Sequence, residues 1–286
     1  MMSEQRLYAI VLRLAAIRPG AIPDNHGDQA RAALMKIIQH ADSPLAQRLH
    51  DANTSKPYTI SLLKGGRVRR HGGDMAQHFG EGDQADWRFT LLIEPAFEAL
   101  LRRYLLDRHL PHVRIGAVEF AISDAFASGV HPQSGHTSVA DLTERWNIPA
   151  EELTRDLTLD FLSPTAFSLG QDPETRQYRF RSTPDPRTIF SVLRKRWAQI
   201  GGVEPGDLFD EWVNRCVESE PLRLENEQSR VEGRRIPAFM GRVRFRTHGP
   251  DATWLPLLHL LADLSFWTGV GYQTTRGMGQ VQRLKE

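Results

Sequence analysis

Residues 241–246 read GRVRFR, and on a strand their three arginines, Arg242, Arg244 and Arg246, fall on one face. Guanidinium groups so close together repel unless carboxylates or an anionic partner neutralise them. Two readings follow. The face is solvated and paired with glutamates such as Glu225 or Glu232 across a hairpin, or it contacts phosphates. A helical run, LRKRW, adds Arg194, Lys195 and Arg196. Near the end of the chain stands GVGYQTTRGMGQV, with Gly269, Gly271, Gly277 and Gly279 around Tyr272, Thr274, Thr275 and Arg276. Glycines permit turns that aim successive N–H groups at one point, so this loop can cradle phosphate. An apolar helix enters it and a strand leaves it, the reverse of a dinucleotide-binding turn, and no Walker lysine–serine pair occurs. A structured loop is expected rather than a loose tail.

The eleven histidines are scattered. His131 and His136 bracket PQSG and could ligate a metal, but no carboxylate pair accompanies them, so a surface loop is the plainer reading. His71 and His78 sit in a glycine-rich connection and are read in the same way. His50 ends a helical segment, SPLAQRLHD, where the helix dipole favours an imidazole. Lys56 follows six residues later.

The elements that must position these groups follow from periodicity. The chain has 286 residues, 40% hydrophobic and 25% charged, enough for two domains of ordinary size. The formal net charge is +1, so any basic surface is local. One cysteine, Cys216, excludes an intrachain disulfide and a cysteine-rich zinc site. No membrane span or signal peptide is evident, and a cytoplasmic protein is expected. Strands are expected over 7–15, 57–63, 87–93 and 112–122. A helix is expected over 27–50, capped by Asp24 or Asn25 and split near Pro44, and another over 94–109. Residues 65–83 read as a hairpin tip or loop. The order β-α-β-β-α-β is the ferredoxin-like unit. The second half repeats it: a strand at 157–165, helices at 185–200 and 205–218, a hairpin, an apolar helix at 253–269 and a closing strand.

The glycine loop, FMGRVRFR, LDFLSPTAF and SPLAQRLHDANTSKPYTIS occur in the order, and with the character, found in the CRISPR-associated repeat-processing endoribonucleases of the Cas6 type. The chain resembles that family across both halves. The resemblance implies an α+β protein of two tandem ferredoxin-like (RNA-recognition-motif-like) domains with a central cleft, residues 1–125 and 126–286. It implies a metal-independent endoribonuclease that needs no cofactor, cuts CRISPR precursor RNA into guide RNA by 2′-hydroxyl attack and leaves a 2′,3′-cyclic phosphate.

By the same resemblance His50 is the general acid/base and Lys56 the companion cation. Met35 stands where some members carry a tyrosine, and methionine cannot exchange protons. His40 and Arg48 are the replacements nearest in sequence, although on one straight helix His40 lies about 80° around the axis from His50. His26 is expected to shape a loop. The implied RNA contacts are Gly269, Gly271, Thr274, Thr275, Arg276, Gly277 and Gly279, with Arg242, Arg244, Arg246 and Arg194. The partners are repeat RNA and its guide product; other interference-complex proteins and a homodimer are left open. A rival reading is an RNA-holding scaffold with impaired catalysis.

Overall fold

The computed structural model describes residues 5–51, 56–71, 74–102, 112–231 and 233–285. Two compact units result. One comprises Arg6–His136 with Thr275–Gly277, and the other comprises Met1–Gln5, Thr137–Thr274 and Met278–Glu286.

The first unit runs β1 (Arg6–Ala16), β2 (Gly20–Pro23), α1 (Gly27–Ala41), α2 (Ser43–Asp51), β3 (Tyr58–Ile60), β4 (Lys64–Gly65), β5 (Arg67–His71), β6 (Asp74–Phe79), β7 (Gln84–Leu91), α3 (Glu94–Leu101), β8 (His112–Ile115), β9 (Val118–Phe126) and β10 (Gly135–Ser138), which crosses into the second. Its main sheet has the order β3-β7-β1-β9-β8. Without the terminal β8, that is the ferredoxin-like order 2-3-1-4, with every pair antiparallel. The core is built from β1, β7 and the helices, and includes Leu12, Trp87, Phe89, Leu34, Ile38 and Phe120.

The 112–122 segment differs from expectation. The chain turns at Gly116, with φ +59, and forms the β8–β9 hairpin. Only glycine adopts that conformation without strain, and the sequence there carries none of the Asn-Gly signals of a tight hairpin. The glycine-rich 65–83 segment forms a hairpin, β5–β6, which β2 joins in a three-stranded sheet ordered β2-β6-β5. Helix α1 begins after His26 with no side-chain cap, so neither Asp24 nor Asn25 caps it. The expected helix over 94–109 is seen as α3, and residues 103–111, including Tyr104 and Leu105, lie outside the described residues. The unit continues to His136, beyond position 125. The buried Arg88 donates through Nε to the Gln133 carbonyl (2.9 Å), and His131 faces Asp86, tying that segment back to β7.

The second unit runs α4 (Val139–Arg145), β11 (Asp156–Thr165), β12 (Phe167–Gln171), β13 (Tyr178–Arg181), α5 (Pro186–Gln199), α6 (Asp207–Cys216), β14 (Val217–Val231), β15 (Arg234–Thr247), α7 (Leu255–Thr268) and β16 (Val281–Leu284). Its sheet is ordered β14-β15-β11-β16, again 2-3-1-4. In its interior Phe161 meets Phe239, and Phe190 meets Phe245. Among the described residues no helix is long and apolar enough to cross a membrane.

Candidate nucleic-acid-processing site

Helix α1 buries Ala30, Ala33, Leu34, Ile37 and Ile38 against the sheet. Asp28, Arg31, Ala32, Met35, Lys36, Gln39 and His40 recur at the same helical spacing on the outer side. That stripe lines an open groove of about 720 Å³, which Ser43 and His50 of α2 also line. The helix breaks at Asp42 and not within a continuous run. The Asp42 carboxylate accepts from the Leu45 N–H (2.8 Å), while Pro44 sits in the first turn of α2, where its missing N–H costs nothing. The break defeats the straight-helix expectation that His40 and His50 hardly share a face. Both imidazoles line one groove.

Lys56 returns to the end of α2. Its ammonium donates to the Leu49 carbonyl (3.0 Å) and the His50 carbonyl (2.8 Å). A cation at a helix C-terminus satisfies orphan carbonyls and complements the dipole. Arg31 is anchored by donating through Nε to the Tyr58 hydroxyl (3.2 Å). His26 is buried. Its Nε2 accepts from the Leu63 N–H (2.9 Å) and Nδ1 faces the Pro23 carbonyl (2.8 Å). Burial lowers its pKa. It is a neutral pin between the α1 entry and the 61–63 segment, and it lies outside the groove.

The glycine-rich segment packs closely on its own unit. Several of its N–H groups are engaged by protein carbonyls: Gly269 with Ser265, Val270 with Gly279, Tyr272 with Ala166 and Gly279 with Pro164. A Cβ on Gly279 would overlap the Val270 carbonyl, and one on Gly271 would lie 2.5 Å from that of Ala166. These glycines let backbone pack on backbone. The tip, Thr275–Gly277, belongs to the first unit. There a Cβ on Gly27 would overlap the Arg276 carbonyl, and the nearly buried Arg276 Nε lies 2.8 Å from Asp28 Oδ1. The angle is too bent for a hydrogen bond, and the contact is an ion pair.

Arg242 pairs with Asp160, Arg244 with Glu220, and Arg246 with Asp156 and Glu220. The partners come from β11 and β14 on either side and not from Glu225, which pairs with Arg223; Glu232 lies outside the described residues. Arg194 does not lie on a solvated basic face. It is buried, forked onto Asp210 through Nε and Nη2 (3.1 and 2.8 Å), and also paired with Glu204 and Asp207. His131 accepts from the Gln133 N–H, and His136 faces the Ala127 carbonyl. Among the described residues no three metal-ligating side chains gather.

Two domain families cover the chain almost end to end. The CRISPR Cas6 N-terminal domain matches residues 7–142, and the CRISPR-associated endoribonuclease Cas6 matches residues 159–281. The chain belongs to the Cas6 family. A CRISPR-associated endoribonuclease Cas6 from Streptococcus thermophilus is 22% identical over 249 residues, spanning 86% of this chain and 87% of that protein. Among solved structures, a Thermus thermophilus Cas6 in a product complex superposes with a TM-score of 0.78, with 25% identity over 99% of this chain and 100% of that one. A Cas6-related protein from Pyrococcus furiosus, 13% identical over 99% of this chain and 100% of its own, has a TM-score of 0.62 and shares the fold. The double 2-3-1-4 topology is therefore the Cas6 architecture, and its endoribonuclease family processes CRISPR repeat RNA. The imidazole groove of α1 and α2 lies within the part matched to the Cas6 N-terminal domain.

Proposed function

We propose that this chain is a metal-independent endoribonuclease that cuts CRISPR precursor RNA at its repeats by 2′-hydroxyl attack. The observation that carries the reading is the meeting of His40 and His50 in one open groove with Arg31 and Lys36. In the proposed step the 2′-oxygen bonds to phosphorus as the bond from phosphorus to the 5′-oxygen breaks. A base removes the 2′-hydroxyl proton and an acid supplies one to the departing oxygen, leaving a 2′,3′-cyclic phosphate and a 5′-hydroxyl.

Imidazole exchanges protons near neutrality, and His50 is assigned the acid/base role. His40 is the second proton carrier, where Met35 offers none. Lys56 fixes the end of α2 that carries His50 and places positive charge beside it, while Arg31 and Lys36 offset the charge that builds on the phosphorane. Substrate and product are both CRISPR RNA, a reading favoured by a relative solved in a product complex and another in a substrate mimic complex. Arg276, Arg242, Arg244 and Arg246 would reach RNA by exchanging carboxylate partners for phosphates.

Met35 in the groove is the observation that favours the rival, a binding scaffold. Incubation with end-labelled repeat RNA in EDTA decides between them. One cut with a cyclic-phosphate end is expected. Tight binding with no cut would leave the scaffold.

A further inference from the structure

Strand β5 carries Arg67, Arg69 and Arg70 within five residues, all exposed. It is the outer strand of the β2-β6-β5 sheet. Among the described residues none of the three has a carboxylate partner. Arg242, Arg244 and Arg246 of β15 differ, each being matched to an acid. Edge strands often carry charge to discourage pairing with another chain, but that use does not require one sign. The exposed edge strand β14 mixes signs, with Glu218, Glu220, Arg223, Glu225, Glu227 and Arg230. β5 has three cations and no anion.

The strand is held firmly at its base. β4 pairs with β7, and the chain then swings out at Gly66, with φ +66, where a Cβ would lie 2.8 Å from the Phe79 ring. β6 pairs with β2 over Gly20–Pro23, and the Asp24 N–H donates to the Met75 carbonyl (3.1 Å). Three residues later α1 begins and its outer stripe enters the groove at Asp28. β5 is two strands from β2, roughly 10 Å, and the stripe from Asp28 to His40 spans about 18 Å of helix. On the face of β5 that carries Arg70, Val68 and Met75 are about half exposed and offer apolar contact to bases.

We infer that β5 is a second RNA-contact surface of this unit, its arginines holding the phosphodiester backbone of single-stranded substrate several nucleotides from the cut. The inference rests on the groove being the cutting site, and exposed guanidinium groups on one paired strand suit phosphate.

The test is equilibrium binding of wild type and R67E/R69E/R70E to two probes over a salt series. One probe is repeat RNA with a 2′-deoxy nucleotide at the cut, and the other is oligouridine. The charge reversal is expected to weaken both complexes by roughly tenfold or more and to flatten the salt slope by about 2. R67K/R69K/R70K should retain most of the affinity, showing that charge and not folding is responsible. Unchanged affinities and slopes for both probes would overturn the inference, even if wild type cuts repeat RNA. Loss of affinity for both in a protein that cuts nothing would uphold β5 as an RNA-contact surface while removing the proposed function and the placement relative to a cut.

Discussion

The Lys56 ammonium and the His50 carbonyl are 2.8 Å apart, with the Leu49 carbonyl at 3.0 Å from the same nitrogen. One cation thus closes the helix that presents the imidazole. Lys56→Met removes the donor and leaves two carbonyls to water. Stability should fall by about 1 kcal/mol, in the range of a helix-end charge. Cleavage should fall more steeply, through kcat rather than KM, because His50 loses its fixed position. Lys56→Arg should recover part of the rate. Equal activity of Lys56→Met and wild type at saturating RNA would show that the cation does not position His50.

Arg194 gives a prediction of the opposite kind. It ties α5 to α6 through Asp210, Glu204 and Asp207. Removing one partner of a buried ion pair costs about 3 kcal/mol, since the carboxylates are left without their counter-charge. Arg194→Met should therefore melt well below wild type yet bind repeat RNA with unchanged affinity at a temperature where it remains folded. A stable variant with weakened RNA binding would restore Arg194 to the RNA surface.

His259 links stability to pH. It is buried on α7, faces the Thr154 carbonyl through Nε2 and lies 2.7 Å from Arg283. Burial, and then the neighbouring Arg283 charge, push its pKa down from 6.5 to about 4. Between those values the unfolded chain binds the extra proton, so stability rises with pH across the window and is lost as pH falls toward 4. The gap is worth at most about 3 kcal/mol. His26, also lowered by burial, adds a slope of the same sign. Urea unfolding of His259→Gln between pH 6.5 and 4 should show a shallower slope than wild type. An unchanged slope would place the titration elsewhere.

The fold was largely legible because hydrophobic period marks helices and strands directly. Ala30, Leu34, Ile37 and Ile38 recur at helical spacing and are buried on α1, and Leu45 is buried on α2. The β8–β9 turn was missed because one glycine carries it. The β12–β13 hairpin was missed because its strands are short and mostly exposed. Pro44 signalled the helix break, but the shared groove of His40 and His50 depends on how the chain bends at Asp42, which spacing does not give. The glycine loop shows another limit. Composition reveals conformational freedom, whereas which carbonyls accept the freed N–H groups is a tertiary matter. Arg194 showed in the sequence only as one of a run of cations, because its acids lie ten to sixteen residues further on, across a turn and on the next helix.

The central claim is that His50 moves the proton while the rest of the chain holds the RNA. Single-turnover cleavage of repeat RNA by His50→Ala, with affinity measured in parallel, tests it most directly. The account predicts a rate at least about a hundredfold below wild type, with RNA affinity little changed. Cutting at the wild-type rate would contradict it.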